Sequence, residues 1–326
     1  MIAGISVLLL AGLCQGSFGL GFKKYHPFSW EAFYLICSLL FGVIPAVWLT
    51  IQVPDFMSCF QEASIEMLAV PLLCGGFWGI TSIGFSKGVD YIGMSLVYGL
   101  SMGISAVVGS ITPMLVNHAY PETKQFVFLL VGIGITLAGI AVITKAGLIK
   151  EAESQMLQAK KGSKVKLGLF FAMFSGLGSG AMNIGFDFTS SLTGGFTYIQ
   201  ASAIKWILVL IGGSLTSSFL CMIMLWRNKT WHTLVKKGAA KELGILIITC
   251  IVWFIALDAY GIASSLLGKM GPVAGWIFFN ALALIVSNAW GVKTGEWKAS
   301  RRGKQWLLIG NGILILSWVF VGLSNR

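Results

Sequence analysis

The chain has 326 residues, of which 56% are apolar and only 11% charged, less than half the charged share of about 25% in a soluble domain. This composition excludes a soluble enzyme, a disordered protein and a disulfide scaffold. The net charge of +11 would suggest nucleic acid in a soluble protein. Here the basic residues sit in short connectors between apolar runs, where they indicate membrane topology, so the lipid bilayer is the expected partner and nucleic acid is not.

Apolar runs long enough to cross a bilayer follow one another along nearly the whole chain. Each such helix needs about 20 mostly apolar residues. The first run has no basic segment before it, so we interpret it as a retained span and not as a signal peptide. The sequence predicts an all-α integral membrane protein with ten transmembrane helices, over residues 2–21, 32–53, 67–86, 92–116, 126–147, 167–188, 203–226, 244–266, 273–292 and 306–323.

Basic connectors alternate with nearly uncharged ones. Of the 23 lysines and arginines, only Lys124, Lys205, Lys269 and Arg326 fall on the sparsely charged side. Basic connectors stay in the cytoplasm. We therefore predict that both termini face outside.

The longest polar connector, 149–166, divides the spans into two groups of five. Segment 11–22 matches segment 175–186 at five of twelve positions, which indicates a duplication. An odd number of spans in each half would invert the second half relative to the first. We predict a first repeat over 1–148, a cytoplasmic connector over 149–166 and a second repeat over 167–326, an arrangement typical of secondary transporters.

The duplicated segments carry glycines at four-residue spacing, Gly12 with Gly16 and Gly176 with Gly180. This spacing lets two helix backbones approach closely. No phosphate-binding loop of the ATPase type is present. The six cysteines form no paired motif, and the three histidines are scattered, so we expect no cofactor and no metal.

Acidic residues in hydrocarbon are costly and call for a function. Asp258 lies about two-thirds of the way through span eight, with no basic residue expected at its depth, and burial there favours the neutral carboxyl. It is a candidate for proton coupling, and a structural hydrogen bond to a neighbouring helix is the alternative. Asp187 at the end of span six is a second candidate. It and Lys205 form either a local ion pair or an outer gate.

Polar and aromatic residues inside the spans are the candidates for substrate binding. An aromatic ring can pack on the C–H face of a sugar while an amide bonds its hydroxyls, although each residue could instead serve helix packing. Ser101 and Ser105 share a helix face with Tyr98, a pattern more often seen in packing contacts. The candidate residues are Gln15, Trp78, Tyr98, Asn183, Tyr260, Trp276 and Asn280.

Several short segments are distributed along most of the chain: Lys23–Lys24, Phe28–Glu31, Trp78–Ile80, Tyr91–Ser95, Gly103–Ile104, Val108–Pro113, Thr144–Gly147, Ala181–Asn183, Glu296–Trp297 and Arg301–Arg302. In these segments the chain resembles the bacterial L-rhamnose–proton symporter family, within the drug/metabolite transporter superfamily. The likeness is densest in the first half and thin over about 187–290, where Asp187 and Asp258 lie.

The resemblance implies a five-plus-five inverted fold in the bacterial inner membrane and uptake of L-rhamnose or a related deoxy sugar by proton symport with alternating access. Na⁺ is an alternative coupling ion. A drug or metabolite exporter of the same fold is the alternative function. An integral membrane enzyme would need clustered catalytic residues, and the sequence shows none.

Overall fold

The computed structural model describes residues 2–23, 26–61, 63–92, 94–116, 120, 122–153 and 163–323; Lys24, Gly93, Arg326 and residues 154–162 of the predicted connector lie outside them. The described chain is all-helical, and ten of its helices are long and apolar enough to cross a membrane. The predicted fold class is confirmed at this level, as is the number of spans.

The described residues form eleven α-helices. The ten spans are all of them except α3, a short helix in the connector between the second and third spans. The helices are α1 (Ile2–Ser17), α2 (Trp30–Gln52), α3 (Phe56–Gln61), α4 (Ile65–Ile92), α5 (Met94–Val116), α6 (Thr123–Glu153), α7 (Ser163–Phe188), α8 (Tyr198–Asn228), α9 (Ala239–Leu266), α10 (Trp276–Lys293) and α11 (Arg301–Leu323).

Several predicted span boundaries are wrong by more than a turn: α4 and α6 end later than predicted, and α7, α8, α9 and α11 begin earlier. Helix α8 begins at Tyr198, five residues before the predicted start, because Thr197 and Gln200 form a capping box that bonds its first turn. Helix α4 continues to Ile92, so Lys87 lies in its last turns and not in a connector.

The predicted connector 149–166 is also shorter than expected. Helix α6 runs to Glu153 and α7 begins at Ser163, so helical turns extend into it from both sides. Lys, Glu and Ala favour helix, and polarity alone therefore did not mark where the helices end.

Helix α10 is preceded by an unpredicted turn of π-helix, Gly271–Gly275. A Cβ atom at Gly271 would collide with the carbonyl of Ser264 in α9, so only glycine allows this approach. Such π turns often occur at functional sites. The turn ends where Trp276 begins α10.

The helices pack as a bundle. Helix α1 packs on α9 and α10, α7 packs on α4 and α5, α8 packs on α2 and α4, and α6 pairs with α11. The first helix of each predicted half is therefore wedged between two helices of the other half.

Close backbone approach at the paired glycines is confirmed. A Cβ atom on Gly16 would lie 2.6 Å from the carbonyl oxygen of Ala283 in α10. A Cβ atom on Gly180 would lie 3.0 Å from the amide nitrogen of Gly109 in α5. Backbone atoms cannot move aside cheaply, so a larger residue would separate these helices.

We expect Gly16→Ala to lower the melting temperature of the detergent-solubilised protein, because its methyl group would overpack the contact between α1 and α10, at a cost of about 1–3 kcal/mol. Gly312→Ala is the control, since a Cβ there meets nothing within 4 Å. Equal melting of the two variants would contradict the close-packing argument.

Candidate functional site

A cavity of about 120 Å³ lies among seven of the spans. It runs from Trp276 and Asn280 in the middle of the bundle to Trp30 and Val89. We call the end of the bundle where α2 begins and α4 ends the basic end, because most lysines and arginines lie there. The cavity therefore reaches the basic end.

Five of the seven predicted substrate residues line this cavity: Gln15, Trp78, Tyr98, Trp276 and Asn280. Two of them are held by backbone carbonyls. The Trp276 indole donates to Ser105 O at 3.0 Å, and the Asn280 amide donates to Trp276 O at 2.8 Å. These bonds orient both side chains at the inner end of the cavity.

Gln15 and Tyr98 line the cavity, and each has a buried polar atom. Gln15 Oε1 and Tyr98 OH are buried and have no hydrogen-bond partner among the described residues. A buried polar atom without a partner costs about 1–3 kcal/mol. A ligand that bonds these atoms would recover that cost.

Serine pairs join two of the cavity-lining helices. Ser101 Oγ lies 3.1 Å from Ser175 Oγ, and Ser105 Oγ lies 2.9 Å from Ser179 Oγ. Helices α5 and α7 thus meet through hydroxyl contacts, the packing role that the sequence had offered for these serines. Ser101, Ser175 and Ser179 also line the cavity.

Opposite these serines, three rings from α2, α4 and α9 form what we call the aromatic corner: Phe41, Trp78 and Trp253. The two indoles stack with centroids 5.5 Å apart and planes 9° apart, and the Phe41 ring lies 4.2 Å from the Trp253 ring. All three side chains line the cavity. The corner gives the cavity an aromatic wall.

The other two predicted substrate residues, Asn183 and Tyr260, are absent from the cavity lining. The Asn183 amide donates to Gly109 O at 2.7 Å and to Pro272 O at 2.9 Å, and its oxygen accepts from Tyr260 OH at 2.6 Å. One side chain thus bonds α5, α9 and the π turn to α7. In this conformation the hydrogen-bonded Asn183 side chain holds these elements together, and we call it the latch.

Aromatic rings fill the space around this latch. The Tyr260 ring lies 5.0 Å from Trp276 and 5.6 Å from Phe186, which in turn lies 4.5 Å from Trp206. These side chains are almost completely buried. They close the bundle on the side of the cavity away from the basic end.

Lys205 lies in this closed region and is only 5% exposed. Its ammonium group lies 4.1 Å from the centroid of the Phe186 ring and interacts with the charge of Asp187. Both side chains are buried, so solvent screens their interaction less than it would screen a contact at the surface. Because α8 begins earlier than predicted, Lys205 lies within the helix, in the closed region, and not at the helix start.

Asp258 lies in the interface of α9 with α2 and α8. Ser202 and Trp48 provide the polar side-chain atoms beside it, but its Oδ1 atom has no hydrogen-bond partner within the described ranges.

The expectation that no basic residue lies at the same depth as Asp258 is wrong. Ser202 and Trp206 bond the backbone of Asp258 and Leu257, and Lys205 lies between them on α8.

At the basic end, Trp30 forms the rim of the cavity. Its indole donates to Ser86 Oγ, and the Lys87 ammonium group lies 4.3 Å from its ring centroid. This cation–π contact and the hydrogen bond join α2 to the last turns of α4.

Glu31, next to Trp30, is a buried carboxylate that the sequence did not predict as a site residue. Its Oε1 atom accepts hydrogen bonds from Asn228 and Thr230, each at 2.8 Å. It therefore ties the start of α2 to the end of α8. Because Glu31 lies just before the predicted second span, the sequence did not indicate that it is buried.

Sequence reasoning also missed Phe41, Trp253, Ser175 and Ser179 as cavity residues. A tryptophan in the middle of a span was an available indication for Trp253. Phe41 and the serines look like ordinary packing residues in the sequence. Only the helix arrangement shows which face they present.

The fold and the cavity describe a multi-pass membrane transporter, and comparison with known proteins agrees. The family model described as L-rhamnose-proton symport protein (RhaT) matches residues 1–325. The chain belongs to this family, as its sequence segments had suggested. It is therefore a member of a family of proton-coupled sugar symporters and not an enzyme.

Named relatives cover almost the whole chain. The L-rhamnose-proton symporter of Cronobacter sakazakii is 25% identical over 336 residues, covering 98% of this chain and 97% of the relative. That of Yersinia pestis is 25% identical over 339 residues, covering 99% and 98%. A solved crystal structure, described only as that of a protein, shares the fold with a TM-score of 0.57 at 12% identity, covering 100% of this chain and 97% of its own.

We expect Tyr260→Phe to lower the free energy of unfolding by ~1–3 kcal/mol, because the buried Asn183 oxygen would lose its donor. Thermal melting in detergent would measure this. Tyr198→Phe, at an exposed tyrosine, is the matched control. A latch role would be contradicted if the two variants melted alike.

Proposed function

We propose that this protein imports L-rhamnose or a related deoxy sugar together with a proton, by alternating access in the bacterial inner membrane, with both termini outside. The observation that carries the proposal is the pair of buried, unpartnered atoms on two cavity-lining residues, Gln15 Oε1 and Tyr98 OH. Sugar hydroxyls are suited to both, since they donate and accept hydrogen bonds.

The size and lining of the cavity favour a monosaccharide over a large amphipathic drug. Its volume of about 120 Å³ is below the roughly 300–1,000 Å³ of pockets for drug-sized ligands. Its aromatic rings suit the C–H face of a sugar ring, and its serines suit hydroxyls. This supports the importer over the exporter of the same fold.

The packing partnerships support two inverted repeats, 1–148 and 167–326, joined by the cytoplasmic connector 149–166. Helix α1 against α9 and α10 is the counterpart of α7 against α4 and α5. The pairs α2–α8 and α6–α11 would each map onto themselves. Rocking of two such halves about a central site is a common transport mechanism.

We propose Asp258 and Asp187 as the residues that couple transport to the ion, a proton with Na⁺ as the alternative. Asp258 is buried with an unpartnered oxygen, and its neighbour Leu257 lines the cavity. Asp187 is paired with Lys205 at the closed side. Asn183 and Tyr260 would join the substrate site once that side opens.

Gln15→Leu and Tyr98→Phe should each weaken sugar binding about ten-fold while leaving the melting temperature unchanged or higher, because each removes a buried atom that has no protein partner. Tryptophan fluorescence during L-rhamnose titration would measure the affinity. Thr144→Val is the control: it removes another buried, unpartnered hydroxyl away from the cavity. Unchanged affinity in both cavity variants would contradict this site.

Liposomes that hold the purified protein should accumulate labelled L-rhamnose under an inward proton gradient, and a protonophore should abolish the accumulation. Asp258→Asn should abolish uptake against a gradient while sparing exchange of sugar for sugar. The exposed Asp55 offers the control Asp55→Asn. Equal loss of both activities in Asp258→Asn would argue against coupling there, and inert monosaccharides throughout would favour the exporter.

A further inference from the structure

The cavity has two chemically different walls. The unpartnered oxygens of Gln15 and Tyr98 and the hydroxyl pair of Ser101 and Ser175 belong to α1, α5 and α7. The aromatic corner belongs to α2, α4 and α9. Ser82 of α4 also lines the cavity, so the two walls differ in their predominant chemistry. A ligand with one face of hydroxyls and one apolar end would suit both walls.

Packing behind the corner holds its rings in place. A Cβ atom at Gly213 of α8 would collide with the six-membered ring of Trp78, so that indole is held between the α8 backbone and Trp253. The Phe41 ring contacts both indoles: its centroid lies 5.9 Å from that of Trp78 and 4.2 Å from that of Trp253. Rings confined in this way cannot easily turn aside to admit a polar group.

A 6-deoxy hexose has the matching asymmetry. Its ring carries hydroxyls, whereas C6 is a methyl group that gains from an apolar contact. In the parent hexose C6 bears a hydroxyl, which would lose its bonds to water when it is buried against the faces of aromatic rings. The corner would therefore discriminate at this one carbon.

We propose that Phe41, Trp78 and Trp253 receive the C6 methyl group of the sugar and thereby set the preference for a 6-deoxy hexose. The assignment rests on the proposed function. It names the part of the cavity that distinguishes L-rhamnose from L-mannose, which differs only by the C6 hydroxyl, and from L-lyxose, which lacks C6.

The test begins with the wild-type protein and these three sugars, with competition against labelled L-rhamnose as the readout. L-lyxose should bind about ten-fold more weakly because one buried methyl group is lost, and L-mannose between about ten- and a hundred-fold more weakly. Equal binding of L-rhamnose with either sugar would overturn the assignment alone. Binding of none of the three would overturn the proposed substrate class and this assignment with it.

Two matched variants test whether the aromatic corner causes the preference for L-rhamnose over L-mannose. Phe41→Tyr adds a hydroxyl to the corner and should reduce the preference for L-rhamnose over L-mannose about ten-fold. Phe85→Tyr adds the same group elsewhere in the cavity, beside Tyr98, and should leave that ratio unchanged. Equal ratios in the two variants would overturn the role of the corner.

Trp253→Phe provides a second route if Phe41→Tyr does not fold. It keeps the corner apolar but enlarges it, so L-mannose should gain relative to L-rhamnose by several-fold while L-lyxose stays weak. A ratio equal to that of the wild type would overturn the proposal.

Discussion

Hydrocarbon cannot hydrogen-bond, and this constraint governs the whole molecule. Most polar side chains in the spans meet it locally: serines and threonines bond carbonyls of their own helix, as Ser38 bonds Tyr34 O at 2.7 Å. Asn183 meets it by bonding three other elements. Twelve buried side-chain atoms of the described residues do not meet it. Of these, Gln15 Oε1 and Tyr98 OH belong to residues that line the cavity, where a ligand could supply the missing bonds.

The same constraint explains why one side of the cavity is closed in this conformation. The latch satisfies both donor hydrogens of Asn183, and the surrounding rings exclude the space that a ligand would need. Opening that side would expose or strand these groups unless something replaced their bonds. A sugar hydroxyl could do so, and in the proposed mechanism Asn183 would then be a latch when the side is closed and a substrate contact when it is open.

Much of the architecture could be predicted because the bilayer imposes a length and a polarity on each span. The ten spans and the close contacts of Gly12, Gly16, Gly176 and Gly180 followed from such rules. The cavity was only partly predictable. Gln15 and Tyr98 stand out as polar groups in apolar runs, but Phe41 resembles any lipid-facing or buried phenylalanine, and only the crossing of α2, α4 and α9 brings it to the wall. Lys205 was misplaced because a capping box, and not hydropathy, decides where α8 begins.

Helix α9 connects the two parts of the proposed mechanism. Trp253 and Leu257 line the cavity, while Asp258, the next residue, lies in the interface with α2 and α8 and not in the cavity lining. A proton on Asp258 therefore cannot act on the sugar through a direct contact in this conformation. If Asp258 couples transport as proposed, the coupling would pass through the position of α9 itself. A change in the bonds of Asp258 to its neighbours would shift the same helix that carries Trp253. Phe41 and Trp48 lie on α2, so the helix opposite Asp258 carries a wall of the same cavity, and movement between α2 and α9 changes the shape of the aromatic corner.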